Sequence, residues 1–213
     1  RAVLKGVNLE IKQKEIIGIF GSSGSGKSTL LNVIAGFLKP DAGIIEINNN
    51  LVNEFKPKEL EKLWRETITF IFQDPFDNVF PELSIKHNIL LACSDENRRK
   101  QLCDNTIKQI LKNLKLDKDI DTPCCRLSGG ELQRVSLSIA LARNSKIILL
   151  DEPTGELDSD NSERIFSTIS NLCHERNLIV IVVSHNPLAL KFVDHAYSLL
   201  DGKLIEFNQK SYY

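Results

Sequence analysis

The chain has 213 residues, with 27 Lys and Arg against 28 Asp and Glu, a formal net charge of -1, 42% apolar residues and 26% charged ones. That length supports the core of one domain. The balanced charge lacks the basic excess of a nucleic-acid-binding surface, and the apolar content excludes a disordered chain. No run approaches the roughly 18 apolar residues of a membrane span. The first residues, Arg1 to Gly6, carry no apolar signal-peptide region. The missing initiator Met leads us to expect residues before Arg1. Five cysteines (Cys93, Cys103, Cys124, Cys125 and Cys173) are odd in number and lack C-x-x-C spacing. They read as free thiols in a reducing, cytosolic setting, with a strained Cys124–Cys125 disulfide the minor alternative.

Along the chain, short apolar runs alternate with helical patterns, as in a largely parallel sheet covered by helices. Val7 to Ile11 alternates like a half-buried strand, and Glu15 to Phe20 reads as a continuous buried one. A glycine-rich loop follows, then a helix through Leu30, Leu31, Val33 and Ile34 that ends near Gly36. Gly43 to Ile47 predicts a strand closed by the turn-prone Asn48-Asn49-Asn50. Ile68 to Phe72 predicts another, leading into Gln73. From Asp74 to about Ser128 the strand signal vanishes. Ile107, Ile110, Leu111 and Leu114 recur at helical spacing, so this stretch reads as a helical insertion. Strands return at Ile147 to Asp151 and Leu178 to Ser184, separated by a helix marked by Ile165, Phe166, Ile169 and Leu172. Ala196 to Leu200 and Lys203 to Phe207, joined by Asp201-Gly202, predict a hairpin.

Three segments carry chemistry. Gly21-Ser22-Ser23-Gly24-Ser25-Gly26-Lys27-Ser28 fits the phosphate-binding pattern G-x-x-x-x-G-K-[ST] between a buried strand and a helix. Its glycines let successive N–H groups face phosphate oxygens, beside the positive end of the helix dipole. In this pattern Lys27 bridges β- and γ-phosphates, the Ser28 hydroxyl ligates Mg²⁺, and Thr29 supports the loop. Ile147 to Leu150 is an apolar strand ending in Asp151-Glu152, at the edge where open α/β sheets bind ligands. Adjacent side chains point apart, so Asp151 suits Mg²⁺ and Glu152 suits deprotonation of an attacking water. Leu127-Ser128-Gly129-Gly130-Glu131 opens a helix whose unpaired N–H groups suit an anion, although Ser128 is also a plain helix cap.

Together these segments resemble the nucleotide-binding subunit of ATP-binding-cassette (ABC) proteins over essentially the whole chain. Leu127 to Glu131 is similar to the LSGGQ signature, with Gln133-Arg134 continuing it. The phosphate loop and the Asp151-Glu152 strand resemble Walker A and Walker B. Gln73 matches the Q-loop glutamine, Glu156-Leu157-Asp158 the D-loop, and His185 the switch histidine. Asp151-Glu152-Pro153-Thr154-Gly155 is similar to a narrower group, the ATPases of lipoprotein-releasing, macrolide-exporting and FtsE-type cell-division systems.

The resemblance implies an α/β P-loop NTPase fold. It has a mostly parallel RecA-like core plus an N-terminal antiparallel β subdomain, together 1–73 and 129–213, and an inserted helical subdomain (about 74–128). It implies ATP and Mg²⁺ as ligands, with Glu152, His185 and Gln73 catalytic. Gly21 to Thr29, Ser128, Gly129, Gly130 and Asp158 would contact nucleotide, and Ser28, Gln73 and Asp151 the metal. It further implies a head-to-tail homodimer or heterodimer of cassettes, docked at the cytoplasmic face of the membrane on a transmembrane permease near Phe76 to Leu91, with no nucleic acid. Phe76, Val79, Phe80 and Leu83 fit a docking face or the core equally well. A non-transport role, FtsE-like signalling or iron-sulfur assembly, is the alternative. Two positions depart from the family pattern: Lys14 stands where glycine is usual, and Glu156 where a small residue is common.

Overall fold

A computed structural model describes residues 2–93, 95–155 and 157–207. Its strands are β1 (Ile16–Phe20), β2 (Glu46–Ile47), β3 (Asn50–Leu51), β4 (Ile68–Ile71), β5 (Ile147–Asp151), β6 (Ile179–Ser184), β7 (His195–Leu200) and β8 (Lys203–Phe207). Its helices are α1 (Lys27–Ile34), α2 (Pro57–Glu66), α3 (Ile85–Ala92), α4 (Glu96–Gln101), α5 (Asp104–Asn113), α6 (Gly129–Arg143) and α7 (Ser159–Arg176). The main sheet runs β4-β5-β6-β1-β7-β8, and β2 pairs with β3 apart from it. In the main sheet β4, β5, β6, β1 and β7 are parallel and β8 runs against β7, while the separate β2–β3 pair is antiparallel.

Both faces of this sheet are covered, which explains the nearly unbroken apolar runs. In β1, Ile17 and Ile19 face one core with Leu30 and Leu31 of α1 and Leu63 of α2. Ile16 and Phe20 face the other, with Leu132 and Val135 of α6, Ile165 and Phe166 of α7, and Ile107 and Leu111 of α5. The helical insertion is therefore continuous with one core of the sheet. Its start is capped by the Ser84 hydroxyl, which accepts from the His87 N–H at 3.3 Å.

The register brings the carboxyl ends of the central strands level. Asp151 lies opposite Val183 and Phe20 opposite Ser184. The loops after β1, β5 and β6 thus emerge side by side.

Three local expectations change in the structure. Among the described residues Val7 to Ile11 pairs with no strand, yet Val7, Leu9 and Ile11 still pack against the core, so the alternation marks burial of one side without a ladder. Of Gly43 to Ile47 only Glu46–Ile47 is strand, because the chain turns at once through Asn48 (φ 51°) and Asn49 (φ 62°). Helix α2 is an addition to the elements read from the sequence: Pro57 at its first position and the Glu59 carboxylate on the Lys56 N–H (2.7 Å) are its start signals, and Leu60, Leu63 and Trp64 give its apolar face. Trp64 ties α2 down through its indole N–H to Ala35 O at 2.7 Å, and Arg143 donates to Trp64 O.

The hairpin of β7 and β8 turns through Asp201 (φ 48°) and Gly202 (φ 79°), left-handed at both central residues as a type I′ turn requires. Lys14 also sits at φ 70°, which is why glycine suits that place. All five cysteines are free, with Cys124 buried and Cys125 exposed. Burial pushes the Cys124 thiol up to about 11 and the Cys173 thiol up to about 12, so neither carries a reactive thiolate near neutral pH.

Candidate active site

The loop after β1 closes on itself through the Ser25 N–H to Ser22 O at 3.2 Å. Gly24 (φ 76°) and Gly26 (φ 102°) supply the left-handed turns. A Cβ on Gly26 would lie 2.8 Å from the Val3 side chain, so the N-terminal segment also demands glycine there. Helix α1 starts at Lys27, leaving its first amides free to face an anion held by the loop. Lys27 is buried and its Nζ donates to Gly21 O (2.8 Å) and Ser22 O (3.2 Å). Ser22, Ser23 and Gly24 are exposed around it, while Gly21 and Thr29 are half-buried. The Ser25 hydroxyl is buried with no hydrogen-bond partner among the described residues.

The end of β5 meets this loop. Ser28 Oγ donates to Asp151 Oδ1 at 3.1 Å. Glu152 is only 8% exposed and sits at φ 46°, a left-handed kink that turns the chain out of the strand. Its carboxylate is held from three sides: Lys27 Nζ at 3.7 Å from Oε1, and the His185 N–H and Nδ1 at 3.1 and 3.0 Å from Oε2. Burial chiefly holds the Asp151 carboxyl above the usual range; the neighbouring Glu152 charge adds to this, while Ser28 and Lys27 oppose it. Gln73, exposed just past β4, brings its amide nitrogen to 3.8 Å from where a Cβ on Gly155 would stand.

Thus Lys27, Ser28, Gln73, Asp151, Glu152 and His185, scattered along most of the chain, converge on one edge. One supporting contact there goes beyond the sequence-based expectation. The Asn186 amide donates to Thr154 Oγ1 at 3.3 Å, tying the loop after His185 to the loop after Glu152. Thr154 is buried; its place in Asp-Glu-Pro-Thr-Gly is the signal that could have pointed to it.

The second half of the set lies elsewhere. Ser128 caps α6: its hydroxyl accepts from the Glu131 N–H at 3.4 Å while Glu131 accepts from the Ser128 N–H at 2.9 Å. Gly129 and Gly130 form the first turn. A Cβ on Gly130 would lie 3.3 Å from the Leu157 side chain, so the signature turn packs on the loop before α7. Asp158 caps α7, accepting from the Asn161 N–H at 2.8 Å. Glu156 lies outside the described residues. Among the described residues, no hydrogen bond or ion pair joins Ser128, Gly129, Gly130 or Asp158 to the Lys27–Glu152 cluster.

Comparison with known proteins agrees with this geometry. Residues 4–155 match the family described as ABC transporter. The lipoprotein-releasing system ATP-binding protein LolD of Desulfotalea psychrophila is 36% identical over 96% of this chain and 90% of its own length. The ABC transporter ATP-binding protein MJ0796 of Methanocaldococcus jannaschii is 39% identical over 94% of this chain and 86% of its own. A dimeric MJ0796 structure bound to ADP and Pi, a post-hydrolysis state, superposes with a TM-score of 0.82 at 37% identity, covering 97% of this chain and 90% of that one. The cbiO1 structure from Clostridium perfringens, part of the transporter complex cbiONQ, reaches 0.87 at 29% identity over 98% and 83%. A phosphate loop, a paired acid edge and a signature turn on one shared fold, matched over nearly the whole length, make this chain a member of the ABC transporter family, one of its ATP-binding, ATP-hydrolysing subunits.

Proposed function

We propose that the chain binds MgATP on the Lys27 loop and hydrolyses it as one half of a head-to-tail pair, driving a transmembrane partner. The observation that carries this reading is the Lys27–Glu152–His185 cluster beside the Ser28–Asp151 pair. An entering γ-phosphate is the natural replacement for Glu152 as the partner of Lys27. Glu152, still oriented by His185, is then free to take a proton from an attacking water. Gln73, beside Gly155, reports the γ-phosphate to the helical segment (about 74–128), which we read as a subdomain.

Ser28 Oγ and Asp151 Oδ1, 3.1 Å apart, are two hard oxygen donors of the kind Mg²⁺ takes from a protein, the remaining ligands being water and phosphate. Bound there, Mg²⁺ would neutralise charge developing on the phosphate oxygens. Asp151→Asn tests the carboxylate's part in this. A carboxyl held above its ordinary range contributes stability while protonated and loses it as pH rises through the raised value. At neutral pH the charged, half-buried group is therefore a cost. Asp151→Asn should raise the melting temperature of the nucleotide-free chain while sharply lowering Mg²⁺-dependent turnover. A lower melting temperature would contradict the assignment.

Separation of Ser128 and Gly130 from the Lys27 cluster supports a site completed by a second cassette, identical or homologous. Ser128→Arg should leave ATP binding by the single chain nearly intact and cut hydrolysis roughly 10²-fold or more, because an anion-facing turn loses its donors to a bulky side chain. Wild-type turnover by this variant would reject the head-to-tail arrangement.

For the membrane partner, the supporting feature is an exposed aromatic surface near the Q-loop. Phe37 packs at a tilt against Trp64 and Phe70, and Phe70 against Phe72, with ring centroids 4.7–5.4 Å apart. Phe76, Phe80 and Leu91 add exposed apolar area, while Val79 is core and Leu83 half-buried. We place the docking of a permease's cytoplasmic helix here. None of the described helices is long and apolar enough to cross a membrane, so in this reading the partner supplies the span and holds the chain at the cytoplasmic face. The relatives that handle lipoprotein release favour an exporter of that type.

A further inference from the structure

A cavity of about 260 Å³ lies between the end of α5, the first turns of α6 and the middle of α7. Leu114 forms its apolar wall, and Lys115, Arg134, Arg164 and Thr168 line the rest. Among the described residues no carboxylate lines it. Arg164 and Thr168 stand one turn apart on α7 and so present one face to it. Arg134 is half-buried, with Nη1 donating to Gly130 O at 3.2 Å. Neither Arg164 nor Lys115 forms an ion pair among the described residues.

Two acids of the neighbouring turns are paired with lysines. Glu131, which acts on Arg134, is paired with Lys118 at 3.1 Å and capped by the Ser128 N–H. Glu163 is paired with Lys191 at 3.9 Å. Burial presses against the charge on Arg134, Glu131 partly offsets it, and Arg164 adds to it. By contrast, a larger cavity of about 640 Å³ at the amino ends of β4 and β5 mixes Arg65, Arg98, Arg143 and Lys146 with Glu66 and Asp95. There the charges answer one another.

Three cations around one cavity, only Arg134 among them answered by an acid, make a setting in which an added anion gains attraction from all three. Guanidinium forks fit tetrahedral oxyanions in particular, donating two parallel N–H bonds to two oxygens. The volume is below that of a typical drug-sized site and suits a phosphate with a small body. We propose that this cavity binds a small phosphate-bearing anion, held by Arg134, Arg164 and Lys115, while the Thr168 hydroxyl donates to Arg164 O at 2.7 Å. Since Arg134 also holds Gly130 O, and Gly130 packs on Leu157, the occupant would sit directly behind the signature turn. The site is separate from the Lys27 loop and independent of the hydrolysis reading.

The test is calorimetric titration of inorganic phosphate and, separately, glycerol 3-phosphate into the full chain carrying Lys27→Ala, which disables the other phosphate cradle. One site should remain. Adding Arg164→Gln and Lys115→Gln should weaken it at least about tenfold, the worth of one charge-assisted hydrogen bond, while Arg164→Lys, which keeps the charge but loses the fork, should weaken it less than Arg164→Gln. Both replaced residues are exposed, and an unchanged melting curve shows that the variants fold. Tighter binding of the ester would identify an organic phosphate as occupant, and equal binding the free ion. No binding of either probe, or binding indifferent to Arg164 and Lys115, would overturn the proposal. So would binding of hexaglutamate in place of both.

Discussion

Glu152→Gln should trap the chain as an ATP-bound dimer. The amide keeps the shape of the carboxylate, and its oxygen can still accept from the His185 N–H, which now sits 3.1 Å from Oε2. What it loses is the capacity to take a proton. Loss of a general base costs typically about 10²–10⁴-fold in rate, enough for a closed, pre-hydrolysis state to accumulate. It also loses its negative charge beside the phosphates. Glu152 is the ion-pair partner of Lys27 in this structure, at 3.7 Å, so the substitution removes a competitor for that ammonium. ATP affinity should hold or improve while turnover collapses. Light scattering with MgATP should report twice the 24.0 kDa monomer mass, and the nucleotide-free control the monomer. Monomer at full ATP occupancy would reject the mechanism.

Lys27→Ala should do the opposite, removing affinity before chemistry begins. Lys27 is only 7% exposed, and its ammonium is directed by Gly21 O and Ser22 O toward the loop's concave side. A triphosphate entering that space would lose its main cation. One or two charge-assisted hydrogen bonds are worth about 1.5–3 kcal/mol each, so ATP binding should weaken roughly 10²–10³-fold. The substitution also strips buried Glu152 of its cation, leaving it to the His185 donors, so a lowered melting temperature should accompany the loss. Equal nucleotide binding by the wild type and the variant, measured by calorimetry, would refute the role given to Lys27.

What local chemistry dictates is legible in the residues alone. The strands of the parallel sheet stand out because burial on both faces makes them uniformly apolar. The phosphate loop stands out because only a few glycine placements allow a backbone to wrap an anion. Asp151-Glu152 and the hairpin at Asp201-Gly202 are legible for the same kind of reason, each set by neighbouring residues. Elsewhere local pattern and tertiary context part. Val7, Leu9 and Ile11 alternate because one side of an extended segment is buried, and alternation alone does not say whether a partner strand lies alongside. Helix α2 has a short apolar face of Leu60, Leu63 and Trp64, and Trp64, anchored on Ala35 O, is held by contacts distant in sequence.

Residue types and their order are enough to name the members of the active edge and the family they belong to. Only the tertiary structure decides how those members meet. Whether Glu152 touches His185 depends on the register of β5 against β6 and on a left-handed kink at Glu152 itself. The apportioning of Phe76, Val79, Phe80 and Leu83 between surface and core depends on how the helical insertion lies on α6. The cluster of Lys115, Arg134 and Arg164 is likewise invisible along the chain, since its three cations come from three separate places in the sequence. Bonding within a few residues is written in the sequence, but electrostatic and packing energies follow distance in space, which the fold alone sets.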